Sequence, residues 1–168
     1  LGGLVIGQRF LASDSTVRSW LNESPELSQS PEKLTEFVRT PIQRSVVVIP
    51  TYNESRSLPR TLEKVFAHHD SVEVLIVDDN SPDGTADWVR SQPEFGKRLH
   101  LMQRAGKLGL GSAYREGFYW AFARDYDACL EMDADLSHDP ADIPRLLAVL
   151  DEGADAAIGS RYLGGVRV

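Results

Sequence analysis

The stretch SVVVIPTYNE, residues 45–54, decides the fold. Its first half is a continuous apolar run rich in β-branched residues, which is typical of a strand buried on both faces. Such strands belong to parallel sheets that are covered by helices on both sides. The polar residues 51–54 predict a loop at the carboxyl end of this strand.

The chain after residue 54 repeats the alternation of strand and helix. Helices with an apolar stripe are predicted after each of the first four strands, and Asp139 before Pro140 predicts a capped helix start. This alternation predicts an α/β fold with a mostly parallel sheet flanked by helices. The further strands are predicted at residues 72–77, 99–103, 128–130 and 154–158.

Residues 1–44 differ from the rest, because serines and prolines interrupt scattered apolar residues. We expect an N-terminal extension or linker that is partly helical or disordered, with candidate helices at residues 16–21 and from residue 31 onward. Residues 45–168 form the α/β domain. Since the chain begins with Leu1 instead of a methionine and stops soon after a glycine pair, we expect it to be a fragment of a longer protein.

Composition excludes some classes of protein. The 168 residues carry a net charge of −7, which argues against a basic surface for nucleic acid. The single cysteine, Cys129, cannot form an internal disulfide and favours a reducing compartment. No apolar run reaches the roughly 18 residues that a membrane-spanning helix needs.

A polar cluster follows each predicted strand. Ligands of parallel α/β sheets bind beyond the carboxyl ends of the strands, so five clusters at that edge predict a ligand site. Carboxylates there can accept hydrogen bonds from ribose or base, and a metal with lysine and arginine can hold a diphosphate. The pattern therefore predicts a nucleoside diphosphate ligand with a metal ion. The clusters lie at residues 51–54, 78–80, 104–107, 133–135 and 160–161.

Asp133 and Asp135 are the candidate metal ligands. Side chains two residues apart in an extended segment point to the same side, so both carboxylates can meet one divalent cation such as Mg²⁺. Two alternatives remain open, namely acidic residues that merely end a strand and the nucleophile and acid of a phosphatase. The glycines at 109 and 111 lack the third glycine of a dinucleotide-binding fingerprint.

Five blocks of the chain resemble the signature motifs of inverting family-2 glycosyltransferases, and more narrowly those of the polyprenol (dolichol) phosphate mannose synthases. The resemblance covers residues 45–168 and implies the nucleotide-sugar-binding portion of a GT-A (Rossmann-like) domain. It also implies that this domain is incomplete, because the sheet of the family continues beyond the last block. The blocks are VIPTYNE (48–54), VDDNSPDGT (77–85), GLGSAY (109–114), MDADLSH (132–138) and GSRY (159–162).

The resemblance also implies a reaction and a set of residues. The reaction is the metal-assisted transfer of mannose from GDP-mannose to a polyprenyl (dolichyl) phosphate, with Mg²⁺ or Mn²⁺ as cofactor. Asp133 and Asp135 are implied as catalytic residues and metal ligands, with Ser137 as a weaker third ligand. The implied donor-binding residues are Pro50, Tyr52, Glu54, Val77, Asp79, Asp133, Ala134, Asp135 and Arg161.

Other interpretations stand beside these. Tyr52 can simply pack against the first helix, Glu54 can complement a helix dipole, and His138 suits a supporting role better than metal ligation. Arg104 and Lys107 can be plain surface charges. Alternative functions are a polyprenol-phosphate glucosyltransferase that uses UDP-glucose and a non-catalytic nucleotide-sugar-binding module. From the family alone we expect a cytoplasmic protein, peripheral at a membrane surface.

Overall fold

A computed structural model of the chain describes residues 6–9 and 41–159. These residues form one six-stranded sheet with helices on both faces. A short 3-10 turn, Pro140–Asp142, precedes the last helix, and the side chain of Asp139 caps this turn by accepting a hydrogen bond from Ala141 N. The strands are β1 (Ile6–Arg9), β2 (Ser45–Thr51), β3 (Val72–Asp78), β4 (Leu99–Gln103), β5 (Ala128–Glu131) and β6 (Ala156–Ile158), and the helices are α1 (Leu58–His68), α2 (Thr85–Arg90), α3 (Leu110–Phe122) and α4 (Ile143–Asp151).

The sheet order is β4-β3-β2-β5-β1-β6. The pairs β4–β3, β3–β2 and β2–β5 are parallel, whereas β1 is antiparallel to both of its neighbours, β5 and β6. All five predicted strands are therefore present and run in the same direction. The predicted mostly parallel α/β sheet is confirmed.

Strand β1 was not predicted. Residues 1–44 were predicted to be an extension or linker that is partly helical or disordered, but Gly7 of β1 lies between Leu130 of β5 and Ala157 of β6. A four-residue segment shows too little periodicity to be recognised, and its partners lie more than a hundred residues away along the chain. The two helices predicted between residues 16 and 40 lie outside the described residues.

The decisive strand β2 is buried on both faces, as predicted. Val46, Val47, Val48 and Ile49 are each 0% exposed. Successive side chains of a strand point to opposite faces, so Val47 and Ile49 pack on one side of the sheet and Val46 and Val48 on the other. The first side is covered by α1 and α4, and the second by α3.

Helix α3 packs closely against β2 because its inner face carries small residues. Ala113, Gly117 and Ala121 recur at intervals of four and are buried. A Cβ atom placed on Gly117 would lie 2.5 Å from Cγ1 of Val48, which is below any normal contact distance. The glycine is thus required by the distance between helix and sheet.

The substitution Gly117→Ala is expected to destabilise the protein by about 1–3 kcal/mol, because the added methyl group overpacks the interface with β2. The matched control is Gly111→Ala in the same helix, where an added Cβ meets nothing within 4 Å. This control is expected to be neutral or stabilising by up to about 1 kcal/mol. Urea denaturation followed by circular dichroism measures both, and equal stabilities of the two variants would contradict the packing argument.

Candidate functional site

Asp78, at the end of β3, ties the ends of two strands together. Its buried carboxylate accepts hydrogen bonds from Thr51 Oγ1 at 2.9 Å and from Ser81 N at 2.9 Å. Ser81 Oγ in turn accepts a hydrogen bond from Asn53 N at 3.0 Å. Asp78 is therefore used to shape the loops after β2 and β3, and it is 0% exposed.

The turn at Asp83 holds the other end of the loop after β2. Asp83 Oδ2 accepts a hydrogen bond from Ser55 N at 3.0 Å, and Oδ1 accepts from Thr85 N at 3.1 Å and Thr85 Oγ1 at 2.6 Å. Desolvation of this exposed carboxylate by its neighbours acts to raise the pKa of Asp83, but the hydrogen bonds from Thr85 and Ser55 outweigh it and lower the pKa to about 2. Residues 52–55 thus have a defined conformation.

Because Asp83 is exposed and solvent screens its charge, replacing it with asparagine is expected to lower the free energy of unfolding at pH 7 by only about 1 kcal/mol. The pKa of the folded state, about 2, lies below the ordinary value of 3.8. Stabilisation by this carboxylate is therefore complete above about pH 4 and is lost as the pH falls towards 2. Urea unfolding at pH 7 and pH 3 should show a smaller loss of stability in Asp83→Asn than in wild type, and an unchanged pH dependence would contradict this. The control is Asp70→Asn at an exposed aspartate.

Arg104 is buried among polar partners and is not a surface charge. Its Nε donates to Asp79 Oδ1 at 2.5 Å, and its terminal nitrogens donate to Ser112 Oγ at 2.7 Å, Glu116 Oε1 at 3.1 Å and the carbonyl of Gly109 at 3.1 Å. The cluster at residues 104–107 made Arg104 a candidate for holding a diphosphate, but its donors are committed to other partners, so it is not placed for that role. It positions the loop that precedes α3.

Asp79 completes this network. Its second oxygen, Oδ2, accepts a hydrogen bond from Leu108 N at 3.1 Å. The side chain is only 9% exposed, yet Asp79 lines the cleft described below. Asp79 thus connects the end of β3 to the loop of residues 104–109.

Asp133 lies immediately beyond β5 and is supported by two side chains. Its Oδ1 accepts a hydrogen bond from Tyr114 Oη at 3.0 Å, and its backbone N–H donates to His138 Nδ1 at 2.9 Å. Burial and the Asp133 carboxylate raise the pKa of Tyr114 far above its usual range, so the phenol keeps its proton. Burial lowers the pKa of His138, although the carboxylates of Asp133 and Asp135 act in the other direction.

Asp135 is the more exposed of the two carboxylates and is held by Ser137. Its Oδ1 accepts hydrogen bonds from Ser137 N at 2.9 Å and from the Ser137 hydroxyl. These bonds lower the pKa of Asp135, which therefore carries its charge at neutral pH. Ser137 orients Asp135 in this structure, and its role as a third metal ligand stays a prediction.

The pair has the donor chemistry of a site for Mg²⁺ or Mn²⁺. Asp133 Oδ2 and Asp135 Oδ2 accept no hydrogen bond from the residues that the structure describes. Within residues 6–9 and 41–159, no group of three or more His, Cys, Asp or Glu side chains is arranged to bind a metal. Two carboxylates with open positions suit a hard cation that takes its remaining ligands from water and phosphate oxygens.

These loops enclose a cleft of about 250 Å³ at the carboxyl ends of β2, β3 and β5. On one wall, the ammonium group of Lys107 lies 4.4 Å from the ring centre of Tyr52, which is 38% exposed. The cleft combines an aromatic face, a lysine and several carboxylates. Its lining residues are Pro50, Thr51, Tyr52, Glu54, Asp79, Lys107, Leu110, Ala113, Asp133, Ala134 and Asp135.

Most of the predicted donor residues meet in this cleft, with two exceptions. Val77 is 0% exposed and packs with Val46, Val48 and Leu75 in the core under α3, so it does not line the cleft. A central strand of a covered sheet buries its side chains on both faces, up to the last residue before the loop. Arg161 lies outside the described residues. The predicted residues on the lining are Pro50, Tyr52, Glu54, Asp79, Asp133, Ala134 and Asp135.

Sequence reasoning missed Thr61 and Tyr114 as supports of the site. Thr61 is a polar residue on the apolar face of α1, next to Leu58 and Leu62, and its Oγ1 donates to the carbonyl of Ala134 at 2.7 Å. A polar side chain on a buried stripe was the signal available in the sequence. Tyr114 gave no such signal, because an aromatic residue at helical spacing also suits the core.

The chain is similar to known proteins in sequence and in structure. The model of the family Glycosyl transferase family 2 matches residues 46–167. The chain is 47% identical over 129 residues to the polyprenol monophosphomannose synthase of Mycolicibacterium smegmatis, an alignment that covers 74% of this chain and 48% of that protein. It is 47% identical over 122 residues to the undecaprenyl-phosphate mannosyltransferase of Micrococcus luteus, covering 73% and 50%. The chain thus spans about half the length of these curated relatives.

Similar solved structures show the same fold. The mannosyltransferase PcManGT of Pyrobaculum calidifontis, solved with GDP-Man and Mn²⁺, has a TM-score of 0.50 at 22% identity and covers 84% of this chain and 43% of its own. S. aureus TarS has a TM-score of 0.54 at 24% identity, covering 65% and 32%. These likenesses confirm the GT-A architecture. In the part of the chain that the structure describes, no helix has the length and apolar character to cross a membrane.

Proposed function

Because this chain belongs to glycosyl transferase family 2, we propose that its protein transfers mannose from GDP-mannose to a polyprenyl (dolichyl) phosphate with inversion at the anomeric carbon. The observation that carries the proposal is the cleft, in which Asp133 and Asp135 share one cavity with Tyr52, Glu54 and Asp79. The names of the relatives supply the sugar and the class of lipid acceptor.

The cleft divides into a nucleoside side and a diphosphate side. Tyr52 offers a half-exposed ring, and Glu54 offers a carboxylate that can accept hydrogen bonds from ribose or base. Asp79 shapes this wall through its bonds to Arg104 and Leu108. We assign the diphosphate to the side of Asp133 and Asp135.

Asp133 and Asp135 would hold Mg²⁺ or Mn²⁺, with Ser137 or a water molecule as a further ligand. A cation bound there supplies positive charge beside the departing diphosphate. The lysine of the cleft, Lys107, adds a second positive charge that can contact the phosphate oxygens. Arg161 is proposed to reach the donor from the segment after β6.

The acceptor needs no general base. A phosphate oxygen of the lipid is already anionic when it attacks the anomeric carbon, so no proton has to be removed. The new bond forms from that oxygen to the carbon, and the bond between the carbon and GDP breaks with the electron pair leaving on GDP. The residues of the cleft therefore act by binding, orientation and charge stabilisation. Since the proposed acceptor is a membrane lipid, we propose that the protein is peripheral at a membrane surface, and from the family alone that this is the cytoplasmic face.

Isothermal titration calorimetry tests the donor. GDP-mannose is expected to bind in the presence of Mg²⁺ or Mn²⁺ and to bind much more weakly after chelation with EDTA. Preference for UDP-glucose would overturn the mannose assignment in favour of the glucosyltransferase. Donor binding without transfer to polyprenyl phosphate, in a chain extended to the length of the relatives, would instead identify a non-catalytic binding module.

A further inference from the structure

The backbone around Asp133 and Ala134 is held from two sides by buried side chains. On one side, the N–H of Asp133 donates to Nδ1 of His138 at 2.9 Å. On the other, the carbonyl of Ala134 accepts a hydrogen bond from Oγ1 of Thr61 at 2.7 Å. Both supporting side chains are shielded from water, with Thr61 at 0% and His138 at 4% exposure.

Thr61 links the two sides of the cleft. It belongs to α1, which follows directly on the loop that carries Tyr52 and Glu54. The residue that follows this helix, His69, contacts the chain again farther on, where its Nε2 lies 3.1 Å from the carbonyl of Pro140. The segment with the two carboxylates is thus attached to the element that presents the nucleoside wall.

The ring of His138 lies close to the side chain of Asp133 as well as to its backbone. Because Nδ1 accepts a hydrogen bond from Asp133 N, the neutral ring carries its proton on Nε2. This Nε2 is buried and has no hydrogen-bond partner among the described residues. It lies 3.9 Å from Asp133 Oδ2, the oxygen that is open for a metal ion.

The turn between the supports is in an unfavourable backbone conformation. Leu136 has a φ of 64°, in the left-handed region that non-glycine residues rarely adopt. Such a conformation persists only when the surrounding contacts determine it. Here those contacts include the bonds from Ser137 to Asp135 and the two supports on Asp133 and Ala134.

We propose that Thr61 and His138 are positioning residues that clamp the backbone of Asp133 and Ala134, so that both carboxylates are preorganised for a divalent cation. The inference rests on the proposed function, since the cation is part of that site. Without the clamp, cation binding has to order the segment at the expense of affinity. Outer supports of metal ligands typically change metal affinity by about 10–100-fold.

The test measures Mn²⁺ binding to the 168-residue chain by electron paramagnetic resonance, with saturating GDP present. Thr61→Val keeps the shape of the side chain and removes the donor, whereas Thr61→Ser keeps the donor. Likewise His138→Leu removes the acceptor for Asp133 N–H, whereas His138→Asn offers an oxygen as acceptor in place of Nδ1. We expect about 10–100-fold weaker Mn²⁺ binding for Thr61→Val and His138→Leu, and recovery of most of the affinity for Thr61→Ser and His138→Asn.

A second measurement needs no metal. Hydrogen–deuterium exchange of peptides that span residues 132–138 is expected to accelerate in Thr61→Val and His138→Leu, at a temperature where circular dichroism shows both variants fully folded. If Thr61→Val and His138→Leu both had the Mn²⁺ affinity and the hydrogen-exchange rates of wild type, the proposed clamp would be overturned. Failure of the proposed function would give a different result. In that case wild type would not bind Mn²⁺ and GDP, or Asp135→Ala would bind them as tightly as wild type does.

Discussion

Asp135→Ala is expected to weaken binding of GDP-mannose in the presence of Mn²⁺ by about a hundredfold or more, because it removes one of the two carboxylates proposed to hold the cation. Asp135 is well suited to this test. It is exposed and bonded only to Ser137 among the described residues, so its loss leaves no buried group unpaired. The measurement is calorimetric titration of the donor at several Mn²⁺ concentrations.

The matched control is Asp87→Ala, which removes the same charge from the exposed face of α2. It should leave donor affinity unchanged within about twofold, since screened surface charges interact weakly over long distances. In EDTA, wild type and Asp135→Ala are expected to bind the donor with similar weak affinity. An Asp135→Ala chain that keeps metal-dependent affinity for GDP-mannose would remove Asp135 from the metal site.

Arg104→Met is expected to destabilise the protein by about 3–5 kcal/mol, because it leaves the buried carboxylate of Asp79 without its charged partner. The guanidinium has 2% and the carboxylate 9% side-chain exposure. Loss of Arg104 also releases Gly109 and Ser112, so the loop of residues 104–109 should loosen and donor affinity should fall. Urea denaturation and donor titration measure the two effects.

A double-mutant cycle separates the ion pair from general damage. Combining Arg104→Met with Asp79→Asn should recover part of the lost stability, because the second change neutralises the unpaired charge. Arg60→Met, at an exposed position of α1, serves as the control and should stay within about 0.5 kcal/mol of wild type. Strict additivity of the two substitutions would show that the pair is not coupled.

Sequence reasoning identified the loops of the site but misjudged how their charges are used. Arg104, considered for the diphosphate, is buried against Asp79, and Val77, assigned to the nucleoside pocket, is buried in the core. Both errors have one cause. A linear motif shows which residues follow a strand, but which of them turn towards the ligand depends on partners that are distant along the chain.

The sequence by itself determined the α/β architecture, because apolar runs and amphipathic stripes are local patterns that report burial directly. It also predicted the edge of the sheet at which the candidate cleft lies, since the carboxyl ends of parallel strands meet at one edge. Only the tertiary structure decided the rest: the place of β1 between β5 and β6, the buried pair Arg104–Asp79, and the supports Thr61 and His138 behind Asp133 and Ala134. These contacts join residues that local periodicity cannot connect.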